Sequence, residues 1–172
     1  MKNLKMFFKI FFSKALLLFI TILLSHGCFA KSIKAKIVRV IDGDTVVVRT
    51  VNNQIIKIRL SGIDAPEKKQ PHGIMSKNYL TNLINKKIVK INVTKKDRYK
   101  RQLGTVFIKN TNINLKLVKS GNAWAYRKYL KKMDKKTEEA FVRAESFAQF
   151  KKIGLWKKST PIPPWVWRKK NN

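Results

Sequence analysis

The chain has 172 residues and a formal net charge of +30, with 39 Lys and Arg residues against nine Asp and Glu residues. Such a charge favours a polyanionic partner, most often nucleic acid, although the lysine excess of an AT-rich genome is the alternative explanation. One Cys and two His residues exclude a disulfide framework and a His-rich zinc site.

The first 30 residues have the layout of a secretory signal peptide. A lysine-rich start precedes an uncharged run, Ala15 to Leu24, and Cys28 and Ala30 are the small residues that a cleavage site requires. The uncharged run is short for a membrane span. We expect cleavage after Ala30 and a secreted or periplasmic protein. An uncleaved membrane anchor and lipoprotein processing at Cys28 are the alternatives.

The stretch from Ser32 to Lys109 has mainly the pattern of β-strands. Residues 33–41 (IKAKIVRVI) alternate apolar and basic side chains with a period of two, as a half-buried strand does. Two β-branched runs, TVVVRTV and IIKIRLSGI, flank an Asn-Asn turn and predict a hairpin. Two further strands are predicted from IVKINVTKK and LGTVFIKN.

Three helices are predicted beside these strands. Residues 76–87 carry apolar side chains at helical spacing, and residues 112–123 predict a short helix that ends at Gly121. The clearest helix begins near Asp134 and stops at Gly154. Its predicted apolar stripe consists of Ala140, Phe141, Ala144, Phe147 and Ala148.

These elements predict a single α+β domain, mainly β, over residues 31–157. Five strands that wrap into a small barrel with about three helices are the simplest assembly. Residues 158–172 are rich in Pro, Trp and basic residues, and we predict an extended tail there.

The positions of the nine acidic residues suggest a cation site. Five of them lie at strand ends or turns of the β-rich part, and the other four belong to the last helix, where they need no functional interpretation. The β-rich group consists of Asp42, Asp44, Asp64, Glu67 and Asp97.

Pro66 stiffens the turn that carries Asp64 and Glu67, so this turn can hold two carboxylates and a backbone carbonyl in one orientation. With Asp44 nearby, such an all-oxygen site suits Ca²⁺ or Mg²⁺ better than Zn²⁺. Taken singly, the D-G-D and D-A-P-E segments are better explained as ordinary turns.

Two arginines, Arg59 and Arg101, accompany these acids. A guanidinium group donates two parallel hydrogen bonds to a phosphate. A cation, a carboxylate base and two arginines form a complete set for hydrolysis of a phosphodiester. A non-catalytic binding module and a cationic protein that acts on membranes are the alternatives. Acids beside a phosphate site favour the enzyme, because they would repel the substrate unless a cation intervened.

Three segments, VIDGDTVVV, IRLSGIDAPE and DRYKRQLG, resemble in order and spacing the thermonuclease (staphylococcal nuclease-like) family. The resemblance runs from about Val38 to Trp156. It implies an OB-fold barrel and an exported Ca²⁺-dependent nuclease that hydrolyses DNA and RNA with low sequence specificity. We expect a monomer that binds single-stranded or double-stranded nucleic acid and has no obligate protein partner.

The resemblance also implies roles for individual residues. Asp44 and Asp64 would bind Ca²⁺ together with the carbonyl of Ala65. Asp42 would be a nearby acid that does not contact the ion directly.

For catalysis, the resemblance implies that Glu67 is the base that activates water. Arg59 and Arg101 would hold the scissile phosphate.

The substrate-binding candidates are Tyr99, Lys100, Tyr126 and Tyr129. Base stacking would explain the tyrosines. For Tyr126, as for Trp124, packing between barrel and helix is the alternative. Lys100 stands where the family usually has glycine, so the turn before Arg101 could have a different geometry.

Overall fold

A computed structural model describes residues 31–158 and 160–171. The predicted signal peptide, residues 1–30, lies outside the described residues. Within the described part, no helix combines the length and the hydropathy that a membrane crossing requires.

Five strands form the barrel, in the order β3-β2-β1-β5-β6, and a parallel pairing of β3 with β6 closes it. The five-stranded barrel predicted from the sequence is therefore confirmed. The strands are β1 (Lys31–Val40), β2 (Thr45–Thr50), β3 (Ile55–Leu60), β5 (Ile88–Lys96) and β6 (Gln102–Ile108).

Three shorter strands extend this framework. β4 (Ile63–Asp64) pairs with β8 (Trp124–Ala125), and β7 (Thr111–Asn112) pairs with β6. The predicted hairpin joins β2 to β3, and Asn53 adopts a left-handed φ of 58° in its turn.

Side chains alternate between the barrel interior and the solvent along the strands, and the apolar ones fill the interior, as the sequence pattern predicts. Ile58 and Leu60 of β3 are buried, and Lys57, which precedes Ile58, is exposed. In β5, Ile91 is buried and its neighbour Lys90 is exposed.

All three predicted helices are present. They are α1 (Gly73–Ile84), α2 (Ile113–Lys119) and α4 (Lys135–Phe150). The described residues also include α3 (Arg127–Leu130), a 3₁₀ turn (Gly154–Lys157) and α5 (Pro164–Asn171).

Helix α4 begins where the sequence predicts, but its buried face differs from the predicted apolar stripe. The Asp134 carboxylate caps it by accepting a hydrogen bond from the Thr137 amide at 2.9 Å. Phe147, predicted in the apolar stripe, is 42% exposed. The buried Glu145 instead accepts hydrogen bonds from the Ala125 amide and the Arg127 guanidinium. This acid therefore ties α4 to β8 and α3, a structural role that the sequence analysis missed.

The prediction of an extended tail at residues 158–172 is wrong for Pro164–Asn171, which form helix α5. Pro164 begins this helix, a position where its missing amide and fixed φ carry no penalty. The amides of Val166 and Trp167 both donate to the carbonyl of Pro163. The tail therefore contains a short helix that its Pro-rich composition did not indicate.

Asn114 is a fully buried polar residue at the start of α2. Its side-chain amide donates to the carbonyls of Ser61 and Gly104, and its oxygen accepts from the Val106 amide at 3.1 Å. One side chain thus fastens α2 to the end of β3 and to β6, next to the strand end that carries the acidic turn.

We predict that Asn114→Ala lowers the free energy of unfolding by about 3 kcal/mol, because it leaves buried backbone groups without partners. The exposed Asn110 is the control, and Asn110→Ala should stay within about 0.5 kcal/mol of the parent. Urea unfolding of both variants measures the difference. A loss below about 1 kcal/mol for Asn114→Ala would contradict this account.

Candidate active site

The turn between β1 and β2 is built around a glycine that has no room for a side chain. A Cβ on Gly43 would overlap the side chains of Ser76 and Ala65. The Asp42 carboxylate accepts a hydrogen bond from the Asp44 amide at 3.0 Å, which closes the turn. The D-G-D segment is therefore a tight turn that places the side chain of Asp44 in the interior.

Asp44 links this turn to the turn after β4. Asp44 is only 6% exposed. One carboxylate oxygen accepts from the Thr45 hydroxyl at 3.0 Å, and the other accepts from the Ala65 amide at 2.8 Å. The Asp44 carbonyl also accepts from the Leu60 amide. The two segments singled out in the sequence are thus joined by direct contacts.

Arg59 of β3 holds the two predicted metal ligands together. Its Nη2 contacts Asp64 Oδ1 at 2.7 Å and Asp44 Oδ2 at 3.0 Å. Its Nη1 donates to the carbonyls of Leu60 and Ile63 at 2.8 and 2.9 Å. Both terminal nitrogens of this guanidinium are therefore bound to the protein. A phosphate contact by Arg59 stays a prediction, and it requires that some of these contacts open.

Glu67, the predicted base, lies on the same turn as Asp64 and is half-exposed. Its amide donates to Gln70 Oε1 at 3.0 Å. Its Oε1 accepts from Arg168 Nη1 at 2.6 Å, and Arg168 Nη2 donates to Asp64 Oδ2 at 2.8 Å. A guanidinium of helix α5 therefore bridges the predicted base and a predicted metal ligand.

Sequence reasoning missed Arg168. The tail has three consecutive basic residues at positions 168–170, of which only the first is an arginine, and this identity is the one signal that could have singled it out. Burial acts to lower the pKa of Arg168, but its hydrogen bonds to Asp64 and Glu67 raise the pKa above its ordinary value. The contact depends on how α5 folds back, which composition alone does not reveal.

Crowding of carboxylates in a buried place perturbs their protonation. Burial raises the pKa of Asp64, and the hydrogen bond from Arg168 and the charge of Arg59 oppose that shift. Burial and the neighbouring charge of Asp44 raise the pKa of Asp42 to about 6. For both carboxyl groups burial is the largest cause, because removal from water disfavours the charged form.

Arg101 approaches the cluster from the loop between β5 and β6, with Asp97 as its anchor. The Asp97 carboxylate accepts from the amides of Tyr99 and Arg101 and from Arg101 Nε at 2.8 Å. Partial burial acts to raise the pKa of Asp97, but the Arg101 hydrogen bonds outweigh it and the pKa lies below its ordinary value. Arg101 Nη1 lies 3.5 Å from the hydroxyl of Thr45, next to Asp44 in the chain.

Lys100 adopts a left-handed φ of 61°. This is the region that glycine adopts without strain, so the turn before Arg101 has the backbone conformation that a glycine there would favour. Tyr99 is exposed, and the guanidinium carbons of Arg98 and Arg101 lie 4.9 and 5.4 Å from its ring centre.

The aromatic candidates separate into two groups. Trp124 is buried and packs edge-on against Trp156, with ring centres 5.4 Å apart, so it fills the interior. Tyr126 is half-buried, and Tyr129 packs edge-on against it at 4.8 Å. Trp165 of α5 lies parallel to the Tyr126 ring at 5.3 Å. Tyr126 thus presents one face on which a flat ring already stacks.

The donors fit a hard cation by their chemistry. Asp44, Asp64 and the Ala65 carbonyl offer only oxygen atoms, which Ca²⁺ prefers. Within residues 31–158 and 160–171, no three His, Cys, Asp or Glu side chains form a group that could hold a metal ion. Arg59 and Arg168 contact these carboxylates instead.

The chain is similar to known nucleases. The family described as "Staphylococcal nuclease homologue" matches residues 57–158. An uncharacterized endonuclease of Haemophilus influenzae is 41% identical over 155 residues, which cover 90% of this chain and 83% of the relative. A micrococcal nuclease of Shigella flexneri is 37% identical over 145 residues, 79% of this chain and 80% of the relative.

We predict that Lys100→Gly raises the free energy of unfolding by about 0.5 kcal/mol, because relief of left-handed strain slightly exceeds the added entropy of unfolded glycine. The rate of nucleic acid hydrolysis should stay within about tenfold of the parent, since the turn already has the required conformation. Urea unfolding and initial rates measure the two effects.

Lys95→Gly is the matched control, because Lys95 is an exposed lysine in the extended β5. It should destabilise the protein by about 0.5 to 1 kcal/mol. A loss of stability in Lys100→Gly would contradict the strain argument. A gain in rate much larger than tenfold would show that Lys100 distorts this turn.

Proposed function

The chain belongs to the staphylococcal nuclease family and is a nuclease, and we propose that it is an exported, Ca²⁺-dependent enzyme. Its substrates would be single-stranded or double-stranded DNA and RNA, cut with low sequence specificity, and it would act as a monomer. The signal-peptide pattern of residues 1–30 supports export to the periplasm or the medium.

One observation carries this proposal: Arg59 joins Asp44 and Asp64 through a single nitrogen, and Glu67 lies on the same turn as Asp64. In a chain with only nine acids, three carboxylates from two separate turns thus share one small region. Such a cluster would repel a phosphodiester unless a cation were present, and therefore supports a cation-dependent reaction at phosphate.

The protein groups can be given roles by their chemistry. Glu67 is half-exposed, so it can accept a proton from a water molecule that approaches the phosphorus. Arg101, fixed by Asp97, can donate to the phosphate oxygens and offset the charge that develops in the transition state. Arg59 can add a second guanidinium contact once its carboxylate contacts open.

Asp44, Asp64 and the carbonyl of Ala65 would hold Ca²⁺. When bound, Ca²⁺ supplies a positive charge that polarises a phosphoryl oxygen and neutralises negative charge at the reacting centre. The high net charge supports a low sequence specificity, because lysine and arginine contacts to the phosphate backbone carry no base information.

We predict that an excess of the chelator EGTA abolishes hydrolysis of single-stranded DNA by residues 31–172, and that Ca²⁺ added beyond the chelator restores it. The physical reason is that the carboxylate cluster repels the phosphate backbone without a cation. Gel analysis of the digest measures the effect. Cleavage that persists in EGTA would overturn the Ca²⁺-dependent mechanism.

We predict that Glu67→Gln lowers kcat by about 10²- to 10⁴-fold, because glutamine cannot accept the proton of the attacking water. Glu139→Gln on the exposed side of α4 is the control, and it should leave kcat within about twofold. Undiminished turnover in Glu67→Gln would remove Glu67 from the role of base.

A further inference from the structure

We propose that helix α5 is an intramolecular occupant of the active site, which Ca²⁺ and a nucleic acid strand must displace. This proposal rests on the proposed function, since it takes Asp44, Asp64 and the carbonyl of Ala65 as the site of the cation and Glu67 as the base beside it. It assigns a specific role to residues 162–168, a segment outside the family match at residues 57–158.

The first contact is electrostatic. Arg168 uses both terminal nitrogens: Nη2 donates to Asp64 Oδ2 at 2.8 Å, and Nη1 donates to Glu67 Oε1 at 2.6 Å. Nη1 also lies 3.4 Å from Asp64 Oδ1. Asp64 is only 1% exposed, whereas the Arg168 side chain is 36% exposed, so the guanidinium reaches from the surface to a buried carboxylate.

Arg168 and a divalent cation compete for the same oxygens. Oδ1 of Asp64 contacts Arg59, and Oδ2 contacts Arg168, so both oxygens of this ligand are taken by guanidinium groups. A Ca²⁺ ion bound to Asp64 would lie within a few ångströms of the Arg168 charge and would repel it. Arg168 therefore has to leave when the ion binds.

The second contact is aromatic. The rings of Trp165 and Tyr126 lie parallel, at an interplanar angle of 2° and a centre distance of 5.3 Å. An unpaired base would make the same kind of contact with this tyrosine. Trp165 and Arg168 are three residues apart in a helix and therefore lie on one face. That face therefore covers the carboxylates of Asp64 and Glu67 and also the ring of Tyr126.

The third contact fastens the segment to the catalytic turn. The side chain of Gln70 is buried, and its Nε2 donates to the Ile162 carbonyl at 2.6 Å. Its Oε1 accepts from the Glu67 amide at 3.0 Å. Gln70 thus connects the turn that carries the predicted base directly to the chain that leads into α5.

Displacement of α5 is feasible because the helix is short. It has eight residues, of which Pro164 is the buried one, and a helix of this length is marginal on its own in water. The segment therefore depends on its contacts with Asp64, Glu67, Gln70 and Tyr126. A ligand that occupies the carboxylates removes the strongest of these contacts.

The test compares Arg168→Ala with Lys169→Ala, which removes one positive charge from the same helix at an exposed position without a contact to the carboxylates. Isothermal titration calorimetry with CaCl₂, in the absence of nucleic acid, measures the affinity for Ca²⁺. If α5 occupies the site nine-tenths of the time, Arg168→Ala should bind Ca²⁺ about tenfold more tightly than the parent. Lys169→Ala should stay within about twofold of the parent.

A second measurement uses the unaltered protein. Hydrogen exchange of the amides in residues 165–171 should become faster at saturating CaCl₂, because α5 is released, whereas exchange in α4 should not change. Unchanged exchange in α5, with Ca²⁺ bound, would show that helix and ion occupy the site together and would overturn the proposal.

The outcomes separate this proposal from the proposed function. Ca²⁺ binding that is equal or weaker in Arg168→Ala than in Lys169→Ala, with cleavage still dependent on Ca²⁺, would overturn the role of α5 alone. Absence of Ca²⁺ binding in the parent and both variants, with cleavage that persists in EGTA, would overturn both. Tighter binding in Arg168→Ala together with faster exchange in α5 would establish the competition.

Discussion

The site depends on one partly buried guanidinium. Arg59 comes from the end of β3, and through Nη2 it holds Asp44 of the β1–β2 turn and Asp64 of β4. Without that positive charge, two buried carboxylates would face each other in a medium of low dielectric constant, which is unfavourable by several kcal/mol per ion. The barrel makes the pairing possible, because β2 and β3 are antiparallel neighbours and Thr45 lies opposite Arg59 in their register.

The strands and three helices could be predicted from the sequence because their signals are local. Period-two alternation located β1, and an Asn-Asn turn located the β2–β3 hairpin. Convergence of the D-G-D and D-A-P-E segments was predicted from the acids at strand ends and from the family resemblance. The contact that realises it, from the Ala65 amide to the Asp44 carboxylate at 2.8 Å, is fixed by the barrel closure.

What the sequence did not reveal depends on contacts between residues far apart in the chain. Arg168 reaches Asp64 across more than a hundred residues, and no periodicity connects the two. Glu145 falls on the predicted apolar side of α4, and its burial is compensated by Arg127 and the Ala125 amide. Lys100 looked like a departure from a required glycine, and the structure shows that a lysine there adopts the left-handed conformation.

The charge balance of the cluster explains why a guanidinium from the tail lies there. Asp44, Asp64 and Glu67 bring three negative charges, and Arg59 offsets one of them. A divalent cation would offset the other two, whereas Arg168 offsets only one and also covers Glu67. The two ways of neutralising the cluster therefore differ in whether the predicted base is free to accept a proton.

In so basic a chain, a positive side chain close to any cluster of carboxylates is readily supplied, so access of the cation depends on how firmly that side chain is fixed. For Arg168, Gln70 and the Trp165–Tyr126 stack provide that fixation.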